Sequence, residues 1–521
     1  MPRRAPLHSF IAKLIVAPLM VVAIDLLFQD AIGSWLGGFA LAWVIAVIAT
    51  RPAVRHGPAL VAVMAAAAFA LVMADDPGLL AWVLFWAALS IATLLPRTAG
   101  FDDAVRWGIR LALHGATGPF TPLADLMRLF GGRPGRARRP IRTVVATLAL
   151  PLVMGAVFTA LFASANPLIE GAFAGIRFPP ADRIVFWLVM GALIWPSLRP
   201  SRWATRLVGS LPETSDRMLP EFPIASVLIS LGLFNVIFAI QNGLDLAFLW
   251  SGAPLPGGVT LADYAHRGAY PLIATALLAG LFVLMTIRPG TVTAASRTIR
   301  RLVMLWVAQN LLLVASSMLR TWDYIEAFSM TRLRIAALMW MALVAIGLVL
   351  IVWRALAGRS ARWLINGNAF AALVFLAIGS IVDLGAVAAM WNVRHARELT
   401  GAGPALDLCY LDRLGSSALP ALLDLEQQPI APSLHDRVRR VREDVMTGRP
   451  GWNDDGLVAA QADWRRWTWR GARRLAQARA VLGDGAIHAV AIPAGATVAC
   501  DGSIALPKPS PSAPLTGAAR P

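Results

Sequence analysis

Residues 335–353 read IAALMWMALVAIGLVLIVW, nineteen consecutive apolar residues closed by Arg334 on one side and Arg354 on the other. A bilayer core about 30 Å thick needs roughly 20 apolar helical residues to cross it, so the run reads as a membrane span. Lipid offers no partner to an unpaired amide, and the span must therefore be a helix. Similar runs recur at 10–28, 35–49, 59–74, 79–95, 143–163, 184–198, 224–238, 268–287, 302–318 and 369–390. The reading is an all-α integral membrane protein with about 11 transmembrane helices. The run at 184–198 is the weakest, pressed between Arg183 and the Arg199/Arg202 pair.

Composition agrees with that reading. Of the 521 residues, 57% are hydrophobic and 15% charged, and the mean hydropathy is +0.63. Soluble domains carry about 25% charged residues, so ordinary soluble enzymes and disordered chains are disfavoured. The net charge of +17 invites a nucleic-acid reading. Its distribution argues otherwise, because the arginines gather at helix ends, where topology and anionic headgroups favour them. With the N-terminus inside, 25 of the 31 Lys and Arg in residues 1–391 fall on inner segments and six on outer ones. The expected orientation is therefore N-terminus cytoplasmic and C-terminal extension periplasmic. The segment with Arg3, Arg4 and the first apolar run reads as a retained signal anchor.

The expected domains are a polytopic membrane domain over 1–391, a soluble, mainly helical extension over 392–506 and a disordered Pro-rich tail over 507–521. A long basic inner loop, 96–142, interrupts the first. Within it, 101–130 reads as amphipathic helix broken near Gly115–Pro122. The cluster RPGRARRPIR (133–142) is first a topology anchor and second a site for anionic lipid. In the extension, Ser433 and Asp436 match a capping box before Leu434, Val438, Val441 and Val445. A second helix is expected to set Trp464, Trp467, Gly471, Leu475, Ala478 and Leu482 against Arg465, Arg466 and Arg473, with core packing favoured over a membrane surface. Asp501-Gly502 marks a hairpin turn. Cys409 and Cys500 are a candidate disulfide if the extension is periplasmic, with unrelated thiols as the alternative.

Ionisable groups inside a membrane are costly and mark either function or a satisfied pair. Asn235, Asn242 and Asp245 share a helical face. Gln309, Asn310 and Arg320 lie on the ninth run, and Asp383 lies in the outer third of the eleventh. Outer loops add Tyr264, His266, Arg267, Asp323 and Glu326. Asn235, Asn242, Asp245, Tyr264, Arg267, Arg320, Asp323, Glu326 and Asp383 make a candidate outward-facing polar pocket. Interhelical bonds tying the bundle together explain the same residues and are favoured, since no nucleophile–base pair can be picked out. No catalytic, cofactor or metal set emerges from the sequence.

The stretch DLAFLWSGAPLPGGVTLADYAHRGAYPL (245–272) resembles bacterial membrane proteins of the domain-of-unknown-function 4173 family, related to the 4153 group. LRTWDYIEAFSMTRLRIAALMWM (319–341) is similar to a second signature, in which Thr331 and Arg334, or Arg332, start a helix. Ser329-Met330 stands there where a Gly is expected. Trp391-Asn392 and DLCYLDRLGSSALPALLDL (407–425) resemble the segment after the membrane domain. The resemblance implies a bacterial inner membrane and carries no catalytic residue. Three roles stay open: a non-enzymatic envelope sensor or accessory subunit with an envelope protein partner, a transporter of a small polar solute, or a lipid-modifying enzyme using Asp323 or Glu326 with His266.

Overall fold

The computed structural model describes residues 7–28, 31–98, 100–122, 179–200, 202–209, 223–250, 296–448, 455–483 and 497–505, with isolated positions 125, 151, 154, 155, 158, 278 and 282. They belong to two compact units: Met1–Ala31, Gly38–Leu71 and Val83–Leu211 in one, and Ile32–Gly37, Val72–Trp82 and Pro212–Pro521 in the other.

The first unit draws on α1 (Leu7–Phe28), α2 (Trp35–Thr50), α3 (Gly57–Asp75), α4 (Leu79–Leu94), α5 (Ala104–Thr117), α6 (Ala181–Leu198) and α7 (Arg202–Gly209). Its core centres on the fully buried Trp43, set edge-on to Phe39 and Phe85. The Trp43 indole N–H donates to Ser197 Oγ at 2.7 Å, which satisfies a polar atom that burial would otherwise strand. Arginines near helix ends bind backbone carbonyls at or just past helix C-termini. Arg51 donates to the Thr93 carbonyl and Arg55 to the Ile48 carbonyl, each at 3.0 Å, and Arg97 donates to Pro200 O. Cations placed there offset the negative ends of helix dipoles. The amphipathic reading of 101–130 corresponds to α5. Asp103 caps it by accepting from the Arg106 amide, and it gives way to a 3-10 turn at Gly118–Phe120. Burial, then the charges of Arg51 and Arg97, push the α5 imidazole of His114 down to about 4, so it is neutral at pH 7.

In the second unit α8 (Ile224–Asp245), α9 (Arg297–Phe328), α10 (Arg332–Ala357) and α11 (Ala361–Ile381) pack in chain order. Leu231, Ile299, Val303, Val307 and Leu348 fill the seam, and Phe234, Phe238 and Phe282 surround Trp306. After α12 (Leu384–Arg394) the extension builds a cap from α13 (Arg397–Thr400), α14 (Leu408–Leu414), α15 (Leu419–Glu426), α16 (Pro432–Thr447), α17 (Gly456–Ala462) and α18 (Trp469–Leu482). Leu411, Leu422, Val438, Val441, Met446 and Leu475 form its core, which continues onto Ala389 and Val393 of α12. The Cys409 and Cys500 sulfurs are bonded, with Cα atoms 4.7 Å apart. β1 (Thr497–Val498) and β2 (Ile504–Ala505) pair antiparallel around Asp501-Gly502.

Several expectations change. Among the described residues seven helices are long and apolar enough to cross a membrane, including the weak sixth run. The count of eleven is not established by them. At 16 residues, α2 is shorter than a full span, and the side chains of α1 are described only from Lys13 on. Apart from the isolated positions 151, 154, 155, 158, 278 and 282, the runs at 143–163 and 268–287 lie outside the described residues, as do the 133–142 cluster and the 507–521 tail. The run at 369–390 is not one helix: α11 stops at Ile381 and Asp383 caps a new helix. Ser433 does not cap α16, which starts at Pro432 after Ala431 with no side-chain cap. Proline already lacks the amide that a cap would satisfy. The second cap helix starts at Trp469, capped by Thr468, so Trp464 and Trp467 lie in the turn before it.

The α9–α10 connection carries a strained residue. Ser329 sits at φ 69° and ψ 163°, a region that favours glycine, and it stands where the resemblance expects one. Thr331 then caps α10 by accepting from the Arg334 amide at 3.3 Å. Replacing Ser329 with Gly removes the Cβ clash. Ser329→Gly is expected to stabilise the protein by about 1 kcal/mol, read as a higher Tm in detergent, whereas Ser329→Val lowers it.

Candidate functional site

Two polar constellations stand in the second unit. The first joins α8 to α9. Gln309 Nε2 donates to Asn235 Oδ1 at 2.8 Å, Asn235 Nδ2 donates to the Leu302 carbonyl at 3.1 Å, and Asn242 Nδ2 donates to the Gln309 carbonyl at 3.1 Å. One turn further on, Arg320 pairs with Asp245, whose carboxylate also accepts from Gln241 at 3.1 Å. The side chains of Arg320 and Asp245 are 8% and 1% exposed, so the pair is desolvated on both sides. A charge left alone there would be costly, and the two hold each other in place.

The second constellation lies where the cap meets helix ends. Helix α18 carries Arg470, Arg473 and Arg474 at spacings of three and one, which directs all three to one face. Arg470 reaches Asp75 and Asp76, each at 2.9 Å, and donates to the Ile381 carbonyl at 3.0 Å. Arg473 pairs with Asp75 as well. Arg474 pairs with Asp383 and donates to Ser416 Oγ at 3.2 Å. Asp383 in turn accepts the Gly385 and Ala386 amides at 2.9 and 3.1 Å, the cap of α12. An open cleft of about 600 Å³ runs between these groups, with Pro420 and Gln477 on its walls.

The acids of this latch differ in character. Burial alone would raise the Asp383 carboxyl, but the Arg474 hydrogen bond, the Ala386 amide and the Arg474 charge outweigh it and hold it below the usual carboxylate range. At Asp76 burial wins over the attraction of Arg470 and Arg474, with Asp383 and Asp75 adding repulsion, and its carboxyl is raised.

Two of the three stretches that carry the resemblance, 319–341 and 391–425, meet beside the latch, whereas 251–272 lies outside the described residues. Met330 donates its amide to Asn392 Oδ1 at 2.6 Å and receives Asn392 Nδ2 on its carbonyl at 2.9 Å. The Arg332 amide donates to Tyr410 Oη at 2.9 Å, and its guanidinium donates to Ser417 Oγ at 3.2 Å. The connection between α9 and α10 is thus clamped by α12 and the cap.

Of the candidate pocket residues, the structure brings Asn235, Asn242, Asp245 and Arg320 together as interhelical bonds. Glu326 accepts from the Trp322 indole on its own helix at 2.8 Å. Asp323 lies on that same helix, and neither it nor Glu326 has a described bond to the α8–α9 ladder. Asp383 belongs to the latch. Tyr264, His266 and Arg267 lie outside the described residues. Sequence reasoning missed Asp75, Asp76, Arg470 and Arg474. The signal was present as an acid pair closing an apolar run and three arginines on one face of the RGARR stretch (470–474), but nothing in the sequence pairs them across some 400 residues. Among the described residues no three His, Cys, Asp or Glu side chains gather as a metal site.

A family model described as "Domain of unknown function (DUF4153)" matches residues 36–425. The match is to the 4153 group, and membership in the 4173 family does not follow from it. No curated protein and no solved structure matches the chain. The matched region includes Asp75, Asp76 and Asp383, and it ends before α18.

The two acids predict unequal mutant effects. Asp383→Asn keeps a capping oxygen but strands Arg474, and should destabilise the protein by about 3 kcal/mol. Asp76→Asn loses an ion pair made by a side chain that is 48% exposed, and should change stability by less than about 1 kcal/mol. On acidification, the Asp383 contribution is complete above the unfolded carboxylate value of about 3.9 and fades as pH falls through its lower folded value. The Asp76 contribution has the reverse sign, since protonation relieves its cost. Thermal melts of both variants between neutral pH and pH 3 check this.

Proposed function

The chain belongs to the DUF4153 family, and from that premise we propose that it is a non-enzymatic multi-pass membrane protein, an envelope sensor or accessory subunit whose cap reads a ligand or protein partner at the latch cleft. The observation that carries the reading is the latch. Arg470 alone binds a carboxylate at the end of α3, its neighbour Asp76 and the last carbonyl of α11. Whatever displaces these bonds or adds to them acts directly on the ends of membrane helices. Balanced ion pairs around an open cleft suit recognition of a charged group. They offer no acid–base couple poised over a reacting bond.

Orientation belongs to the same proposal. The excess of inner arginines supports a cytoplasmic N-terminus and a periplasmic cap. The Cys409–Cys500 bond adds to this, because structural disulfides persist in oxidising compartments. On this reading the cleft faces the envelope, in the inner membrane of a bacterium.

Two measurements test the proposal. Fusions of alkaline phosphatase and a fluorescent protein after Leu506 should give phosphatase activity without fluorescence, and both cysteines should resist alkylation until reduced. A photoreactive residue in place of Gln477, in full-length protein in intact cells, should give one defined adduct with an envelope component, lost on Arg473→Glu. A cytoplasmic cap overturns the reading. So does solute flux in proteoliposomes that Asp245→Asn abolishes, which would make the protein a transporter.

A further inference from the structure

The turn Trp464–Trp469, WRRWTW, is pinned to the start of an apolar helix. Ser34 donates its amide to the Trp467 carbonyl at 2.8 Å, and Trp35, which opens α2, donates its indole N–H to the Arg465 carbonyl at 3.0 Å. The Trp469 amide returns to Ser34 Oγ at 3.0 Å, and Ser34 Oγ donates to the Ala74 carbonyl at the end of α3. The approach is so close that a Cβ on Gly33 would collide with the Arg465 and Trp467 carbonyl oxygens. The turn is therefore held at the level where apolar helices begin and end.

Its side chains are unusual for a buried cap. Trp464 is 55% exposed and Trp469 57% exposed, and the Arg465 guanidinium stacks on Trp464 at 4.5 Å from the ring centre. Ile32 and Leu79, which flank the same helix ends, are also exposed. Tryptophans at helix-end level, interleaved with arginines and beside bare aliphatic groups, match the chemistry of the headgroup layer. The ring seats in the interface, the N–H stays wet, and the guanidinium meets phosphate. Exposing the same groups to water would waste large apolar surfaces.

We propose that the Trp464–Trp469 turn is an interfacial anchor that seats the cap on the surface of the bilayer, with Trp464 and Trp469 inserted at headgroup depth and Arg465 and Arg466 paired to anionic phospholipid. Arg465 reinforces its neighbour's ring by cation–π contact, and Arg466, held by Asp455 at 2.5 Å, stays oriented beside it. The anchor and the latch thus work on opposite ends of one short segment, since Thr468 caps the helix that carries the latch arginines. The inference holds for either orientation of the cap, so its failure leaves the proposed function standing.

The test uses full-length protein in phosphatidylglycerol nanodiscs containing a trace of phospholipid with a diazirine in its headgroup. After irradiation, mass spectrometry should find lipid adducts on Trp464 and Trp469. Trp322, 41% exposed near the end of α9, serves as the positive control. Arg465→Gln and Arg466→Gln should each lower the adduct yield about fivefold in phosphatidylglycerol and leave it unchanged in phosphatidylcholine. An intact Cys409–Cys500 bond in each variant shows that the cap is folded. Labelling of Trp322 without labelling of the turn overturns the proposal. Crosslinking of the turn to a second copy or to another protein overturns it too, as does equal yield in both lipids.

Discussion

The Asp383 carboxylate is the point on which the second unit depends. It accepts two amides at the start of α12 and the guanidinium of Arg474. A continuous apolar run from 369 to 390 would by itself prolong one helix. The carboxylate instead draws the backbone out of the helix at Val382 and offers a new N-terminus a negative charge, which the helix dipole favours. That break turns α12 aside, and Ala389 and Val393 become part of the cap core rather than a lipid-facing surface. The same oxygen atoms then fix α18 through Arg474. One residue therefore decides where α11 gives way to α12 and what holds α18 of the cap.

Such a junction could not be read from periodicity. Apolar runs disclose helices because lipid imposes a single demand on every residue of a span, and the runs at 59–74, 224–238 and 335–353 correspond to α3, α8 and α10. The demand lapses at the headgroups, where a helix can stop or continue according to one side chain. Asp383 was visible as an acid in an apolar run, but its role depends on Arg474, ninety-one residues on. The Asn235, Asn242 and Asp245 face was legible for the opposite reason. Spacings of seven and three place the residues on one stripe, and a stripe of polar groups in lipid needs a facing partner, which α9 supplies with Gln309 and Arg320. The two tryptophans assigned to the second cap helix were misread because Trp464 and Trp467 fit its period, while Thr468 is the better cap and its side chain binds the Gly471 amide.

Two of the resembling stretches, 319–341 and 391–425, gain a physical meaning from their meeting. Asn392 treats Met330 as a strand partner would, donating and accepting with one amide group. Tyr410 accepts the otherwise orphaned first amide of α10. The loop between α9 and α10 is short and strained at Ser329, so it needs these outside partners to keep its shape. A sequence signature scattered over a loop, a helix and a cap segment is thus one structural joint.

The ladder and the latch differ in what they can do, although both are made of paired charges and amides. Between α8 and α9, Asn235, Asn242, Asp245 and Arg320 are buried, and exchanging one of them means opening a helix pair in lipid. Around the latch, Arg473 is 61% exposed and Asp76 48% exposed on their side chains, so water and solutes compete for the same bonds. Exposed ion pairs are individually weak, about 1 kcal/mol or less, and weak bonds are the ones that a ligand, a partner or a change of ionic strength can replace. A raised carboxyl at Asp76 beside a lowered one at Asp383 makes the arrangement uneven, with one acid held firmly and the other held against a desolvation cost. On the proposed reading, recognition belongs at the weak, wet and uneven site, and the more deeply buried ladder serves as the frame beside it.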